Sequence, residues 1–166
     1  MIDLADSASA SASGRVSPLL LTPLARRHFE PLLETTEASQ FHEMETGFAA
    51  SGGMRGGEEL TNLLRRDTDQ PVSVLARWIV DQAILAIEWH SQMWIPVFQF
   101  HPVTLAPRPV VGDVIRELGP VLGDWEVALW FARTNVWLHA APADVIAFEP
   151  RAVFEAARGE RFLARG

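Results

Sequence analysis

The chain has 166 residues, and 48% of them are hydrophobic, so it is long enough to bury one substantial core. The lack of cysteine excludes disulfides, thiolate nucleophiles and cysteine-ligated zinc. The net charge of −7 excludes a general nucleic-acid binder, because such affinity comes from neutralising phosphates, and any DNA contact needs a local basic patch.

The beginning of the chain is rich in serine and alanine. Residues 1–17 show no apolar period, which predicts a disordered tail, and they lack the basic and apolar regions of a signal peptide. Residues 18–56 predict a helical N-terminal extension of two short helices. Pro23 suits the first helical turn, and Pro31 is expected to kink or break the helix. The glycine-rich stretch 51–57 predicts a flexible joint.

Residues 57–107 have the pattern of a helix-turn-helix-like pair followed by a β-hairpin. Leu60, Leu63 and Leu64 lie at helical spacing and predict the first helix. Ser73 is expected to cap the second helix, which runs to about residue 82.

The hydrophobic period then changes from helical to alternating. The stretches AILAIEW (83–89) and QMWIPVFQF (92–100) are β-branched and aromatic and are joined by a polar pair, which predicts two strands of a hairpin. Pro96 lacks a backbone donor, so we expect the second strand to lie at an edge or to be bulged there. Trp89 and Trp94 would flank the turn and pack on the preceding helix.

Residues 108–166 predict short, packed helices. Two of these helices are expected to begin at Pro109 and Pro150, and Asp124 is expected to cap a third. The fold predicted for the whole chain is therefore mainly α, a small helical domain with one β-hairpin after a helix-turn-helix-like pair.

Several motifs follow one another in the second half of the chain. The matched residues are Pro96, Phe98, Gln99, Phe100, Arg108, Pro109, Trp125, Trp130, Asn135, Trp137, Leu138, Pro142, Asp144, Ala156, Ala157 and Arg158. In order and spacing they resemble the toxin-binding domain of the Xre/MbcA/ParS-type antitoxin family, over about residues 57–158. The chain departs from the family pattern at His139–Ala141, where glycines are usual, and at Ala143, where a larger aliphatic residue is usual.

The resemblance implies a small bacterial antitoxin that binds and neutralises a RES-domain toxin, an enzyme that degrades NAD. In such antitoxins the C-terminal segment helps to occlude the active site of the toxin, and many members bind their own promoter. We therefore expect a cognate toxin as partner, promoter DNA as a second partner, a homo-oligomer, a cytoplasmic location and no enzymatic activity.

The last predicted helix carries the candidate partner-binding residues Arg151, Arg158, Arg161 and Arg165. Guanidinium groups suit the phosphates and carboxylates of a nucleotide-binding cleft. The alternative is a solvated last helix, in which arginines near the C-terminus are favoured by the helix dipole. Trp137 is a candidate interface anchor, and core packing is the alternative for this ring.

The helix-turn-helix-like pair and its hairpin resemble a winged DNA reader, which is the alternative function. Its candidate DNA-binding residues are Arg65, Arg66 and Arg77, with the helix of Arg77 in the major groove. Asp67 and Asp81 lie close to these arginines along the chain, so a purely structural subdomain is equally compatible with the pattern.

The sequence shows no pattern of catalytic, metal-binding or cofactor-binding residues. The stretch HEMET (42–46) lacks the second histidine of a zinc helix, and no Gly-x-Ser-x-Gly elbow occurs. The stretch SGGMRGG has no lysine and no preceding strand, so it does not predict a phosphate loop. No apolar run reaches the length of a membrane span, and we expect no membrane partner.

Overall fold

The computed structural model describes the backbone of residues 23–166 and the side chains of residues 36–166. Over this range the protein is mainly helical and contains a small three-stranded antiparallel sheet, which confirms the predicted fold class. Residues Glu37–Gly166 form one compact unit. The predicted disordered tail, residues 1–17, lies outside the described residues.

The helices and strands follow one another along the chain. They are α1 (Pro23–Phe48), β1 (Met54–Gly56), α2 (Gly57–Leu64), α3 (Pro71–Val80), β2 (Ile87–Trp89), β3 (Gln92–Pro96), α4 (Pro109–Leu118), α5 (Asp124–Ala132), α6 (Pro142–Val145) and α7 (Pro150–Ala164). Short 3₁₀ turns follow α1 and β3.

One long helix, α1, takes the place of the two short helices that were predicted. It begins at Pro23 as predicted but continues through Pro31, so the prediction of a break there is wrong. A helix of 26 residues tolerates the local loss of one backbone donor. Phe41, Met44 and Phe48 lie at helical spacing and are buried, so the end of α1 belongs to the core.

Strand β3 is the centre of the sheet and pairs antiparallel with both β1 and β2. Strand β1 replaces part of the predicted flexible joint, because Arg55 pairs with Ile95. Pro96 ends this central strand, so the predicted edge position is wrong. The strand can be central because the proline is its last residue, after which the chain turns into a 3₁₀ helix.

The hairpin strands are shorter than predicted. Residues 83–86 are irregular instead of extended, and the backbone N–H groups of Ala83 and Ile84 donate to the carbonyl of Trp78 at the end of α3. His90 and Ser91 connect the strands with φ angles of 49° and 59°, as a tight two-residue turn requires.

The two tryptophans of the hairpin pack differently from the prediction. The ring of Trp89 stacks on Phe41 of α1 with centroids 5.2 Å apart, and Trp94 meets the same ring edge-on at 5.7 Å. Trp89 also lies 5.9 Å from Trp125 of α5. The prediction that both rings pack on α3 is therefore wrong, because α1 supplies the ring between them.

Two further helices begin where the sequence predicted, and two predicted caps are wrong. Helices α4 and α7 start at Pro109 and Pro150. Helix α3 starts at Pro71, two residues before the expected cap Ser73, because proline is well suited to the first helical position. Asp124 lies inside the first turn of α5, where its carboxylate is favoured by the helix dipole without capping the helix.

Two hydrophobic clusters fill the interior. The large cluster contains buried residues from the end of α1, from α4 to α7 and from the hairpin region. Helix α5 contributes six consecutive buried residues to it, from Val127 to Ala132. The small cluster lies in the helix-turn-helix-like region and consists of Leu60, Leu64, Leu75, Ile84, Ile95 and Phe100.

Gln99 lies at the junction between the two clusters and is fully buried. Its Oε1 atom accepts the backbone N–H of Leu85 at 2.5 Å. Its Nε2 atom donates to the carbonyls of Leu85 and Pro96 at 2.9 and 3.0 Å. A buried amide with all these bonds fixes the turn after α3 against the end of β3.

Candidate functional site

A concave, mostly apolar surface lies between the end of α5, the loop after it and the last turns of α7. This surface, termed the Trp137 groove, encloses about 420 Å³. Its apolar lining consists of Leu122, Leu129, Trp130, Val136, Trp137 and Leu163.

The rim of the Trp137 groove is exposed to solvent. Val136, Trp137 and Leu163 expose 74%, 48% and 62% of their surface. Single exposed apolar residues are common on proteins, but a group around one concavity marks an interaction surface. Of these three residues, the sequence singled out only Trp137.

Asn135 and Gly159 hold the Trp137 ring in place. The buried side chain of Asn135 accepts the backbone N–H of Trp137 at 2.9 Å, an arrangement that fixes the loop after α5. A Cβ atom at Gly159 would lie 3.2 Å from Cη2 of Trp137, so this glycine lets the ring lie directly on α7. Trp137 is therefore held against α7 at the rim of the groove.

The charged residues at the groove leave an excess of negative charge. Nε and Nη2 of Arg133 donate to the Glu43 carboxylate at 2.9 and 2.8 Å. These bonds hold the pKa of Glu43 below its ordinary value, although burial acts in the opposite direction. Arg133 is thus neutralised by α1. The other two charged lining residues, Glu126 and Glu160, form no ion pair with a described residue.

Trp130 forms part of the groove wall and carries an unsatisfied donor. About nine-tenths of the residue is buried, and its indole N–H has no acceptor among the described residues. A buried donor without an acceptor costs about 1–3 kcal/mol.

A second groove lies on the opposite face of the end of α7. It encloses about 510 Å³ and is lined by Glu117, Glu155, Arg158, Gly159, Arg161, Phe162 and Arg165. We term it the arginine groove. Three of the four predicted partner-binding arginines therefore come together. Arg151 lies at the other end of α7, about 10 Å along the helix from Arg158 and about 21 Å from Arg165, at 1.5 Å per residue.

Two of the three arginines in the arginine groove are engaged within the chain. Nη1 of Arg161 lies 3.1 Å from Glu117 on α4, and both side chains are largely buried. Nη1 of Arg158 lies 3.1 Å from Glu155 one turn earlier on an exposed surface. Arg165 is exposed and has no ion pair with a described residue. Among the three arginines of this groove, Arg165 near the end of α7 is therefore the one without an ion pair to a described residue.

The groove residues missed by the sequence analysis include Phe162 and Leu163, which are adjacent and both exposed. Because successive helical residues point in different directions, Phe162 lines the arginine groove and Leu163 lines the Trp137 groove. A pair of large apolar residues inside the polar stretch GERFLARG was the available signal.

The predicted DNA-binding arginines lie on the helix-turn-helix-like region. Arg65 and Arg66 follow α2, Arg77 lies on α3, and all three are exposed. None of them forms an ion pair with another described residue. The rest of the exposed face of α3 is mainly apolar, since Val72 and Val80 are both exposed there.

The described residues contain neither a candidate metal site nor a helix that could span a membrane. Within residues 36–166 there is no group of three or more His, Asp or Glu side chains that could hold a metal ion. None of the described helices combines the length and the hydropathy that a membrane span requires.

No protein-family model matches the sequence, and no curated protein or solved structure matches it significantly. The resemblance to the antitoxin family therefore rests on the order and spacing of the motifs in the chain.

Proposed function

We propose that this chain is an antitoxin-like protein that binds and neutralises a partner toxin of the RES type, an NAD-degrading enzyme, through residues 108–166. The observation that carries the proposal is the exposed apolar surface at the end of α7. There Val136, Trp137, Phe162 and Leu163 line two grooves next to arginines. Aromatic residues and arginine are enriched in protein interfaces and often dominate their binding energy.

The arginines at the end of α7 fit the second part of the proposal, occlusion of a nucleotide-binding active site. Arg158 and Arg165 are exposed, and guanidinium groups pair well with phosphates and carboxylates. The ion pair between Arg161 and Glu117 ties this end of α7 to α4, so the helix end is presented in a defined position.

The motif residues also have consistent structural roles. Pro109 and Pro142 occupy the first positions of α4 and α6, and Ala156 and Ala157 are buried in the large cluster. In this proposal the protein has no catalytic activity, needs no cofactor, acts in the bacterial cytoplasm and assembles as a homo-oligomer.

The test is co-expression of the full chain with the product of its neighbouring reading frame, followed by size-exclusion chromatography with light scattering. We expect a stable complex and survival of cells in which the neighbouring product alone is toxic. Absence of both a complex and protection would contradict the proposed function.

Deletion of residues 159–166 tests the role of the helix end. It removes Phe162, Leu163 and Arg165 and the ion pair of Arg161, so we expect weaker binding and loss of protection. Deletion of residues 1–8, far along the chain from both grooves, is the matched control. Full protection by the chain without residues 159–166 would show that the helix end is not used.

DNA binding is the second candidate function, and the order of the strands favours it. Helices α2 and α3 are followed by a hairpin whose second strand pairs with the strand before α2. This is the arrangement of a winged helix-turn-helix unit, with α3 as the helix that enters the major groove. Arg65, Arg66 and Arg77 would supply the phosphate and base contacts.

A gel-shift assay with the DNA upstream of its own reading frame tests this candidate. If α3 reads DNA, Arg77→Ala abolishes sequence-specific binding, whereas Arg151→Ala, on a distant helix, leaves it unchanged. Affinity should fall steeply with salt concentration, because phosphate contacts release counterions. If the Arg77→Ala variant binds DNA as tightly as the parent chain, α3 is not the helix that recognises DNA.

A further inference from the structure

We propose that the Trp137 groove is a docking site for a segment of a partner protein that carries a large apolar side chain next to an arginine or lysine. The identity of the partner rests on the proposed function, whereas the chemistry of the occupant follows from the groove itself.

The shape and lining of the groove select the apolar part of the occupant. Leu129 and Trp130 are almost fully buried and form its wall, while Trp137 and Leu163 form its exposed rim. The volume of about 420 Å³ falls in the range of roughly 300–1,000 Å³ that is typical of built binding pockets. A large aliphatic or aromatic side chain would remove this rim from water.

The charge of the rim selects the basic part of the occupant. Arg133 already shares its guanidinium with Glu43, so it offers little to an incoming anion. Glu160 has no ion pair with a described residue, and Oε2 of Glu126 lies near Gly123 at the start of α5. An arginine or lysine beside the apolar side chain would pair with Glu160, and an acidic segment would be repelled.

The indole N–H of Trp130 favours a peptide as the occupant over a purely apolar molecule. Trp130 lines the groove, and its buried indole N–H has no acceptor among the described residues. A change in the orientation of the ring on binding would bring this donor to a backbone carbonyl of the bound segment. Binding would then satisfy a donor that the free protein leaves without a partner.

The experiment uses the full chain as bait for a phage library of random twelve-residue peptides, with the Leu163→Ser variant as the counter-selection. The enriched peptides are then synthesised with a fluorescent label, and their affinity is measured by anisotropy. The matched control is Phe148→Ser, because Phe148 is an exposed apolar residue that lines neither groove.

We expect the enriched peptides to share a large apolar residue next to arginine or lysine. Leu163→Ser and Trp137→Ala should each weaken binding by about tenfold or more, as truncation of a central interface residue does. Glu160→Gln should weaken it by a few fold and reduce its dependence on salt, whereas Phe148→Ser should leave it unchanged.

Several outcomes would overturn the proposal. These are no enrichment, enriched peptides without basic residues, or equal losses in the Leu163→Ser and Phe148→Ser variants. Light scattering of the chain without a partner tests one further outcome. If the chain forms a homodimer that Leu163→Ser dissociates, the occupant of the groove is a second copy of the chain.

The same variants separate this inference from the proposed function. If the neighbouring gene product binds but Leu163→Ser has no effect on the complex, the groove inference fails and the proposed function stands. If basic, apolar peptides bind as expected but the neighbouring product does not, the groove inference stands and the toxin as partner is rejected.

Discussion

In residues 57–107, helices α2 and α3 close over a cluster of six buried residues, and α3 exposes Val72 and Val80 on either side of Arg77. In residues 108–166, the helices contribute most of a much larger cluster, and α7 ends between two grooves. Both regions expose large apolar side chains, but the two valines of α3 lie far apart on their helix, whereas Val136, Trp137 and Leu163 of the second region line one concave surface.

This difference teaches that exposed apolar residues alone do not define a binding site. The exposed valines of α3 are separated by two helical turns, and the only arginine on that helix lies between them. Around α7, the loop after α5 brings Val136 and Trp137 beside Leu163, although they are distant in sequence. Tertiary packing thus creates the concavity, and a larger core gives it rigid support.

Phe131→Ala is expected to have the largest effect on stability, because it leaves a cavity in the large cluster. The ring is fully buried and lies 4.9 Å from the ring of Phe98 and 5.2 Å from that of Trp130. We expect the free energy of unfolding, measured with urea, to fall by about 3–5 kcal/mol. Phe148→Ala, at an exposed position, is the control. Equal stability of the two variants would show that the large cluster does not dominate the fold.

Gln99→Leu is expected to have the next largest effect, because it removes the bonds at the junction of the two clusters. Leucine cannot satisfy the buried backbone groups of Leu85, and each unsatisfied group costs about 1–3 kcal/mol. Urea unfolding should show reduced stability, and two transitions in place of one would mean that Gln99 couples the regions. Gln92→Leu, at an exposed position, should change little. Unchanged unfolding of Gln99→Leu would contradict the coupling.

Arg133→Ala is expected to have the smallest effect, since its ion pair with Glu43 is about half exposed. At neutral pH we expect a loss of about 0.2–1 kcal/mol, because solvent screens such pairs. The pKa of Glu43 is lowered in the folded state, so this contribution is present above its ordinary value of 4.5 and is lost as the pH falls through the lowered value. Urea unfolding at decreasing pH measures the difference, and Arg116→Ala is the control. A loss that persists in acid would contradict this account.

Much of the helical part of the fold could be predicted from the sequence. Pro109 and Pro150 mark the starts of α4 and α7, because proline suits the first helical turn and apolar residues at helical spacing follow it. Strand β1 could not be predicted, because Met54 and Arg55 lie among glycines and become a strand only by pairing with β3, about 40 residues later.

The candidate site was predicted only in part, for the same physical reason. The local concentration of arginine in α7 was visible in the sequence, but the pairing of Arg161 with Glu117 depends on how α4 packs against α7. Trp137 was singled out as an interface anchor by its type. The groove beneath it depends on Gly159 and Leu163, which reach it only through the fold.

The position of α1 in the fold has a consequence for synthesis of the protein. Gln40 accepts a hydrogen bond from Nε1 of Trp125, a residue 85 positions later. Glu43 accepts one from Arg133, 90 positions later. At about 5–20 residues per second, the ribosome needs roughly 4–18 s to supply these partners. During that interval the apolar face of Phe41, Met44 and Phe48 lacks the buried residues of α5 that complete the core, and it is open to chaperones and proteases. The cellular amount of the protein would then depend on the pace of translation between α1 and α5, as well as on the stability of the finished fold.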